Sequence, residues 1–140
     1  MSKNSEIVNS KKAPEPVGAY PHARKAGGFL FLSGVGPRKP NSKDIPGVHQ
    51  DAMGKVISVD IVAQTESVIE NIKLILAEAG SSFEKIIDVQ VFLTNMKRDF
   101  KTYNEVYAKH FTSIQATRTT IEVGALPTPI AVEFKVIALP

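Results

Sequence analysis

Cysteine is absent from the 140 residues, and histidine occurs only three times. The first absence removes disulfides, thiolate nucleophiles and thiolate metal sites, and accords with a reducing cytosol. His22, His49 and His110 are scattered, with no helical i,i+4 pair and no cluster of carboxylates beside them. No metal or other cofactor is therefore expected. Long apolar runs are also missing. The opening residues MSKNSEIVNSKKA hold none, so neither a signal peptide nor a membrane span is expected, and the expected location is the cytoplasm. No internal repeat or low-complexity tract is visible. The Gly-x-Gly of GVGPRKP runs into Pro rather than a helix, which argues against a nucleotide-binding loop.

What is present describes a soluble globular chain: 43% hydrophobic and 22% charged residues. The length predicts one domain over 1–140, with 1–13 either loosely ordered or an edge strand. The net charge is +3, unevenly spread. Residues 1–43 carry eight basic residues against two acidic ones, whereas 44–140 carry nine against twelve. A basic first third suggests an anionic partner, either a nucleic acid or a small carboxylate, or else simply solvated lysines.

GAYPHARKAGGFLFLSG breaks at Gly27–Gly28 and predicts a hairpin with strands near 19–25 and 28–33. Residues 36–58, rich in Gly and Pro and without periodicity, predict one long loop. Ile61, Thr65, Val68, Ile69, Ile72, Ile75, Leu76 and Ala79 recur at helical spacing and predict a helix over 59–79. Ser58 or Asp60 would cap its start and Gly80 its end. IIDVQVFLT alternates as a strand, with Ile87, Val89, Val91 and Leu93 on one face. A second helix follows, with Asp99 as its expected cap and Phe100, Tyr103, Tyr107 and Phe111 as its apolar stripe. Two strands end the chain. The order β-β-α-β-α-β-β predicts an α+β layer, one mixed sheet with both helices on one face.

The last two strands carry charges where Val, Ile and Thr are usual. Alternation groups Arg118, Thr120 and Glu122 on one face of the first strand, and Glu133 with Lys135 on one face of the second. Ile130, Val132, Phe134 and Val136 would then pack under the helices. The expectation is that all the charges lie on the sheet face that the helices leave open. If that face is an interface, Arg118 and Glu133 are partly desolvated, and Arg118 needs a carboxylate partner or ligand.

Taken together, GAYPHARKAGGFLFLSG, QTESVIENIKLILAEAG, VQVFLTNMKRDFKTYNEVYAKHF, TRTTIEV and AVEFKVIAL resemble the Rid/YjgF family of imine deaminases over about residues 14–139. The resemblance implies a chorismate-mutase-like fold and a homotrimer, or a dimer of trimers, with active sites in the clefts between subunits. It implies that Arg118 clamps the substrate carboxylate and that Glu133 handles the attacking water. Tyr20 falls on the family's Gly-Pro-Tyr-Ser tyrosine, Gly34 on its Ser-Gly backbone contact, and Asn104 on its second-helix asparagine. Ala19, Pro21, Val35, Thr120, Ala116–Thr117 and the longer loop at 36–58 depart from the common pattern. These departures resemble the family's 2-aminomuconate deaminase branch, which implies a dicarboxylate substrate.

The chemistry fits an α-imino acid. A two-point Arg contact fixes the carbon beside the carboxylate, and a Glu takes a proton from water and returns it to the departing amine. No metal is called for. The far carboxylate of 2-aminomuconate needs a second cation, for which Arg24 and Arg38 are the candidates, with Arg38 preferred because it follows the loop at Gly34. The alternatives are a generic deaminase of short 2-imino acids such as 2-iminopropanoate, and a non-catalytic or RNA-acting relative. The last would need exposed aromatic rings beside the basic residues. Only Tyr20, Phe29 and Phe31 are near, and at least one phenylalanine is expected inside, so no nucleic-acid partner is expected.

Overall fold

The structure is a computed structural model that describes residues 5–140. Six strands build one mixed sheet, and both helices pack on one of its faces. The strands that pair in it are β1 (Ser5–Val8), β2 (Ala23–Ala26), β3 (Phe29–Leu32), β6 (Ile86–Leu93), β7 (Thr117–Glu122) and β8 (Val132–Ala138). Their order across the sheet is β1-β2-β3-β8-β6-β7. All neighbours run antiparallel except β6 and β7, which are parallel. The last strand of the chain thus lies at the centre, between β3 and β6.

Helix α1 spans Ile61–Glu78 and α2 spans Met96–Phe111. Between α1 and β6 lies a single 3-10 turn, Phe83–Lys85. Asp60 caps α1 by accepting from the Ala63 N–H, and Gly80 takes the positive φ of +77° past its end. The buried face of α1 is the predicted stripe, with Val68, Ile69, Ile72 and Leu76 fully enclosed. It meets Leu30, Leu32, Val89, Val91, Val132, Phe134 and Val136 from the sheet. On α2, Tyr103, Tyr107 and Phe111 turn inward, and the Tyr107 ring stacks on Phe111 at 4.2 Å between centroids.

Of the two alternatives expected for 1–13, the described residues show the edge strand, β1; residues 1–4 lie outside the described residues. Other expectations are corrected. The first hairpin is shorter than expected, so Tyr20 and His22 precede β2 rather than lie in it. The segment 36–58 is not loop throughout: β4 (Val48–Gln50) and β5 (Val56–Val59) pair as a small separate sheet. Gly47 anchors this arm. Its φ is +70°, and a Cβ there would stand 2.6 Å from the Asp60 carbonyl oxygen. Asn95, not Asp99, caps α2 and accepts from the Arg98 N–H. Asp99 is buried one turn in, held by two bonds from Arg98 at 2.8 and 2.7 Å.

The face assignment of β7 is also overturned. Its register sets Arg118 against Val89, Thr120 against Val91 and Glu122 against Leu93. Those three β6 residues lie under the helices and are fully buried. Arg118 and Glu122 therefore point to the helix side of the sheet's free edge. Glu133 and Lys135 keep the expected open face, opposite Phe92 and Gln90. Phe29 and Phe31 are both exposed on that open face, contrary to the expectation that one lies inside.

Candidate active site

The candidate residues gather in two places. One is a cleft where the chain leaves β3. Val35 bridges to β8 by a pair of backbone bonds with Phe134, at 2.8 and 3.0 Å. The residue before it, Gly34, offers a bare Cα to the carboxylate of Glu133. A Cβ at 34 would stand 2.8 Å from Glu133 Oε2. Glu133 is half-buried, and burial alone pushes its carboxyl above the ordinary carboxylate range.

The cleft wall is the segment before β2. Tyr20 faces the cleft, 41% exposed, and its Oη accepts from the Val17 N–H at 3.3 Å. His22, in the loop before β2, is buried behind it. Its Nδ1 accepts from the Ser10 N–H at 3.0 Å, and its Nε2 donates to the Pro14 carbonyl at 2.7 Å. Those two partners require the neutral ring protonated at Nε2. The Ser33 N–H donates to the His22 carbonyl at 3.0 Å, tying wall to floor. Arg38 forms the rim and donates to the Glu15 carbonyl across the mouth. The cleft encloses about 80 Å³. Ligand pockets commonly measure roughly 300–1,000 Å³, several times this volume.

The second place is the free edge of the sheet. Arg118 is exposed, and its Nη1 donates to Asn104 Oδ1 at 2.7 Å. The guanidinium lies over the rings of Tyr107 at 4.7 Å, Tyr103 at 5.6 Å and Phe100 at 6.0 Å. The underside of the Arg118 side chain is thereby occupied by aromatic faces, a favourable cation–π arrangement. Tyr107 is pushed up to about 12 by burial, so it stays neutral. Its buried Oη has no partner among the described residues. Arg118 pairs with neither Glu122 nor Glu133. Glu122 instead accepts from the Met96 N–H at 2.8 Å, at the start of α2.

Tyr20, Gly34, Arg38 and Glu133 thus converge in the cleft, and Arg118 and Asn104 at the edge. Of these, Glu133 and Arg118 point to opposite faces of the sheet of one chain. Arg24 joins neither: it is exposed on the open face, opposite Phe31, and donates to Ser5 Oγ. Sequence reasoning overlooked His22, Ser67 and Asn71. Asn71 carried a readable signal, because it falls on the buried face of α1 between Val68 and Ile75, where a polar residue needs a partner. Among the described residues no group of three or more His, Asp or Glu is placed to hold a metal ion. Among the described residues no helix is long and apolar enough to cross a membrane.

The pattern that defines the Endoribonuclease L-PSP family matches residues 10–139. A RutC family protein of Pyrococcus abyssi is 38% identical over 133 residues, covering 95% of each chain. The chloroplastic Reactive Intermediate Deaminase A of Arabidopsis thaliana is 35% identical over 137 residues, 98% of this chain and 67% of that one. The crystal structure of E. coli TdcF with bound serine superposes with a TM-score of 0.80 at 33% identity, over 96% of this chain and 98% of that one.

Proposed function

This chain belongs to the Rid/YjgF family, the proteins of the Endoribonuclease L-PSP pattern, and from that premise we propose that it hydrolyses a carboxylate-bearing imine, with 2-aminomuconate as its substrate. The observation that carries the reading is Glu133: a half-buried carboxylate set against Gly34, with its proton affinity raised by burial and no charged partner to neutralise it. Such a group is a stronger base than a free carboxylate. In the imine tautomer the C=N carbon takes up water, Glu133 accepts a proton from that water and passes it to nitrogen, and the C–N bond breaks. The imine and water become 4-oxalocrotonate and ammonia.

Arg118 is the group suited to clamp the carboxylate beside the reacting carbon, with Asn104 holding its guanidinium in place. Arg118 and Glu133 of one chain lie on opposite sheet faces, so a complete site requires a second copy to bring its Arg118 to the cleft. A homotrimer, or a dimer of trimers, does this by closing copies over the open sheet face, where Ile7, Phe29 and Phe31 are exposed. Arg38, on the rim of the Glu133 cleft, is the cation suited to the far carboxylate, and this favours the dicarboxylate. Arg24, away from the cleft, is not.

A second reading, a deaminase of short 2-imino acids such as 2-iminopropanoate, draws on the deaminase name of the Arabidopsis relative and on the serine held by TdcF. A third, action on RNA, draws on the family's description and on the Phe29–Phe31 pair, 6.3 Å apart beside Arg24. The three separate in one set of assays: absorbance loss and ammonia release from freshly made 2-aminomuconate, the same ammonia assay on an imine generated from serine, and integrity of a labelled RNA. The expected result is turnover of 2-aminomuconate, lost in Arg118→Ala and poor in Arg118→Lys, whose ammonium lacks the planar fork. Turnover of the short imine alone would replace the dicarboxylate. Cleavage of RNA without either deamination would replace both.

A further inference from the structure

The rim of the cleft is held from behind by α1. Three successive carbonyls, those of Gly36, Pro37 and Arg38, each receive a hydrogen bond from a side chain of that helix. Asn71 Nδ2 donates to Gly36 O at 3.0 Å and to Arg38 O at 2.8 Å. Ser67 Oγ donates to Pro37 O at 2.7 Å. Residues 67 and 71 are four apart and stand one above the other on the same helix face. Asn71 is 2% exposed, flanked on the buried face of α1 by Val68, Ile72 and Ile75. A buried amide costs stability unless it is bonded, and here both bonds go to the rim.

This anchoring bears on Arg38. Residues 36–40 lie outside every strand and helix, and Pro37 and Pro40 have no N–H to give. The Arg38 main chain is therefore positioned by its carbonyl bond to Asn71 and by the Lys39 N–H, which donates to the Asp44 carbonyl at 3.0 Å. From that root the guanidinium extends across the mouth to the Glu15 carbonyl. A two-point contact between Arg and a carboxylate depends on where the guanidinium plane stands.

We propose that Asn71 and Ser67 are positioning residues that set, through Arg38, the preference of the cleft for a substrate with a second carboxylate. The inference rests on the dicarboxylate reading above and adds to it that selectivity is controlled from α1. If the two side chains merely stabilised the loop, their loss would weaken folding and affect all substrates alike.

The test is the ratio of kcat/KM on 2-aminomuconate to kcat/KM on 2-iminopropanoate. It is measured in wild type, Arg38→Ala, Asn71→Ala, Ser67→Ala and the two double variants with Arg38→Ala, each confirmed folded at the assay temperature by circular dichroism. Arg38→Ala is expected to lower the ratio by roughly ten- to a hundredfold. Asn71→Ala and Ser67→Ala should each lower it by roughly three- to tenfold, and neither should lower it further once Arg38 is gone. Equal losses on both substrates, or an undiminished further loss in the double variants, would overturn the inference while leaving the dicarboxylate reading intact. An unchanged ratio in Arg38→Ala would overturn the dicarboxylate reading and this inference with it. Ser67→Ala removes one bond from a half-buried residue, so it decides the matter should Asn71→Ala fail to fold.

Discussion

The carboxylate of Glu133 occupies space that exists because residue 34 has no side chain. Burial raises its pKa, which makes it a better base but also means that the folded state disfavours its charged form. Two expectations follow from the sign. Activity should be full above the raised pKa and fall as the pH drops through it, with the acid limb of kcat/KM centred above the ordinary carboxylate range. Stability should move the opposite way, gaining as the pH falls from above the raised value toward the ordinary one, because protonation removes the desolvated charge. Glu133→Gln should therefore lose about a hundredfold or more in kcat and melt no lower than wild type at neutral pH. A Gln variant that keeps its rate and loses only affinity would make Glu133 a binding group. Gly34→Ala should also lower kcat, because the new methyl and the carboxylate cannot share that space. An unaffected rate would mean the carboxylate does its work elsewhere.

At the scale of elements, α2 shows how a helix start is chosen. Asp99 is a good cap residue by type, but the helix begins a turn earlier because Asn95 meets the Arg98 N–H and Glu122 meets the Met96 N–H. The second of these partners comes from β7, twenty-six residues away. Asn95→Ala should cost about 1 kcal/mol in urea unfolding, with turnover at low temperature nearly unchanged because Asn104 and the aromatic platform lie further along the helix. A loss of turnover much larger than the loss of stability would mean that this end of α2 takes part in positioning Arg118. Alternation within β7 correctly placed Arg118, Thr120 and Glu122 together. Which face they share was not readable, because an exposed edge strand with one large apolar residue has no hydrophobic side to declare it.

For the whole molecule, the separation of Arg118 from Glu133 yields a complementation test. If the site forms between copies, Arg118→Ala and Glu133→Gln chains, each nearly inactive, should regain activity when unfolded and refolded together. Random mixing at equal amounts leaves about a quarter of the interfaces with both native residues, so about a quarter of wild-type activity is expected. No recovery, in samples whose mass by light scattering shows mixed oligomers, would mean that both residues act within one chain or that one of them does not act.

Local pattern in the sequence determined the helices, the strand alternation, the α+β class and the residue types of the candidate site, since these follow from side-chain periodicity and from motifs a few residues long. It could not determine where the last strand goes. Only the tertiary structure sets β8 between β3 and β6, and that insertion brings Glu133 to Gly34 across a hundred residues of chain. The parallel register of β7 on β6, decided by the α2 crossover, turned Arg118 to the helix side. The two-strand arm in 36–58 and the grip of Asn71 on the rim likewise arise from pairings of distant backbone: the helical pattern marks Asn71 as a buried amide in need of a partner, but not which backbone supplies it.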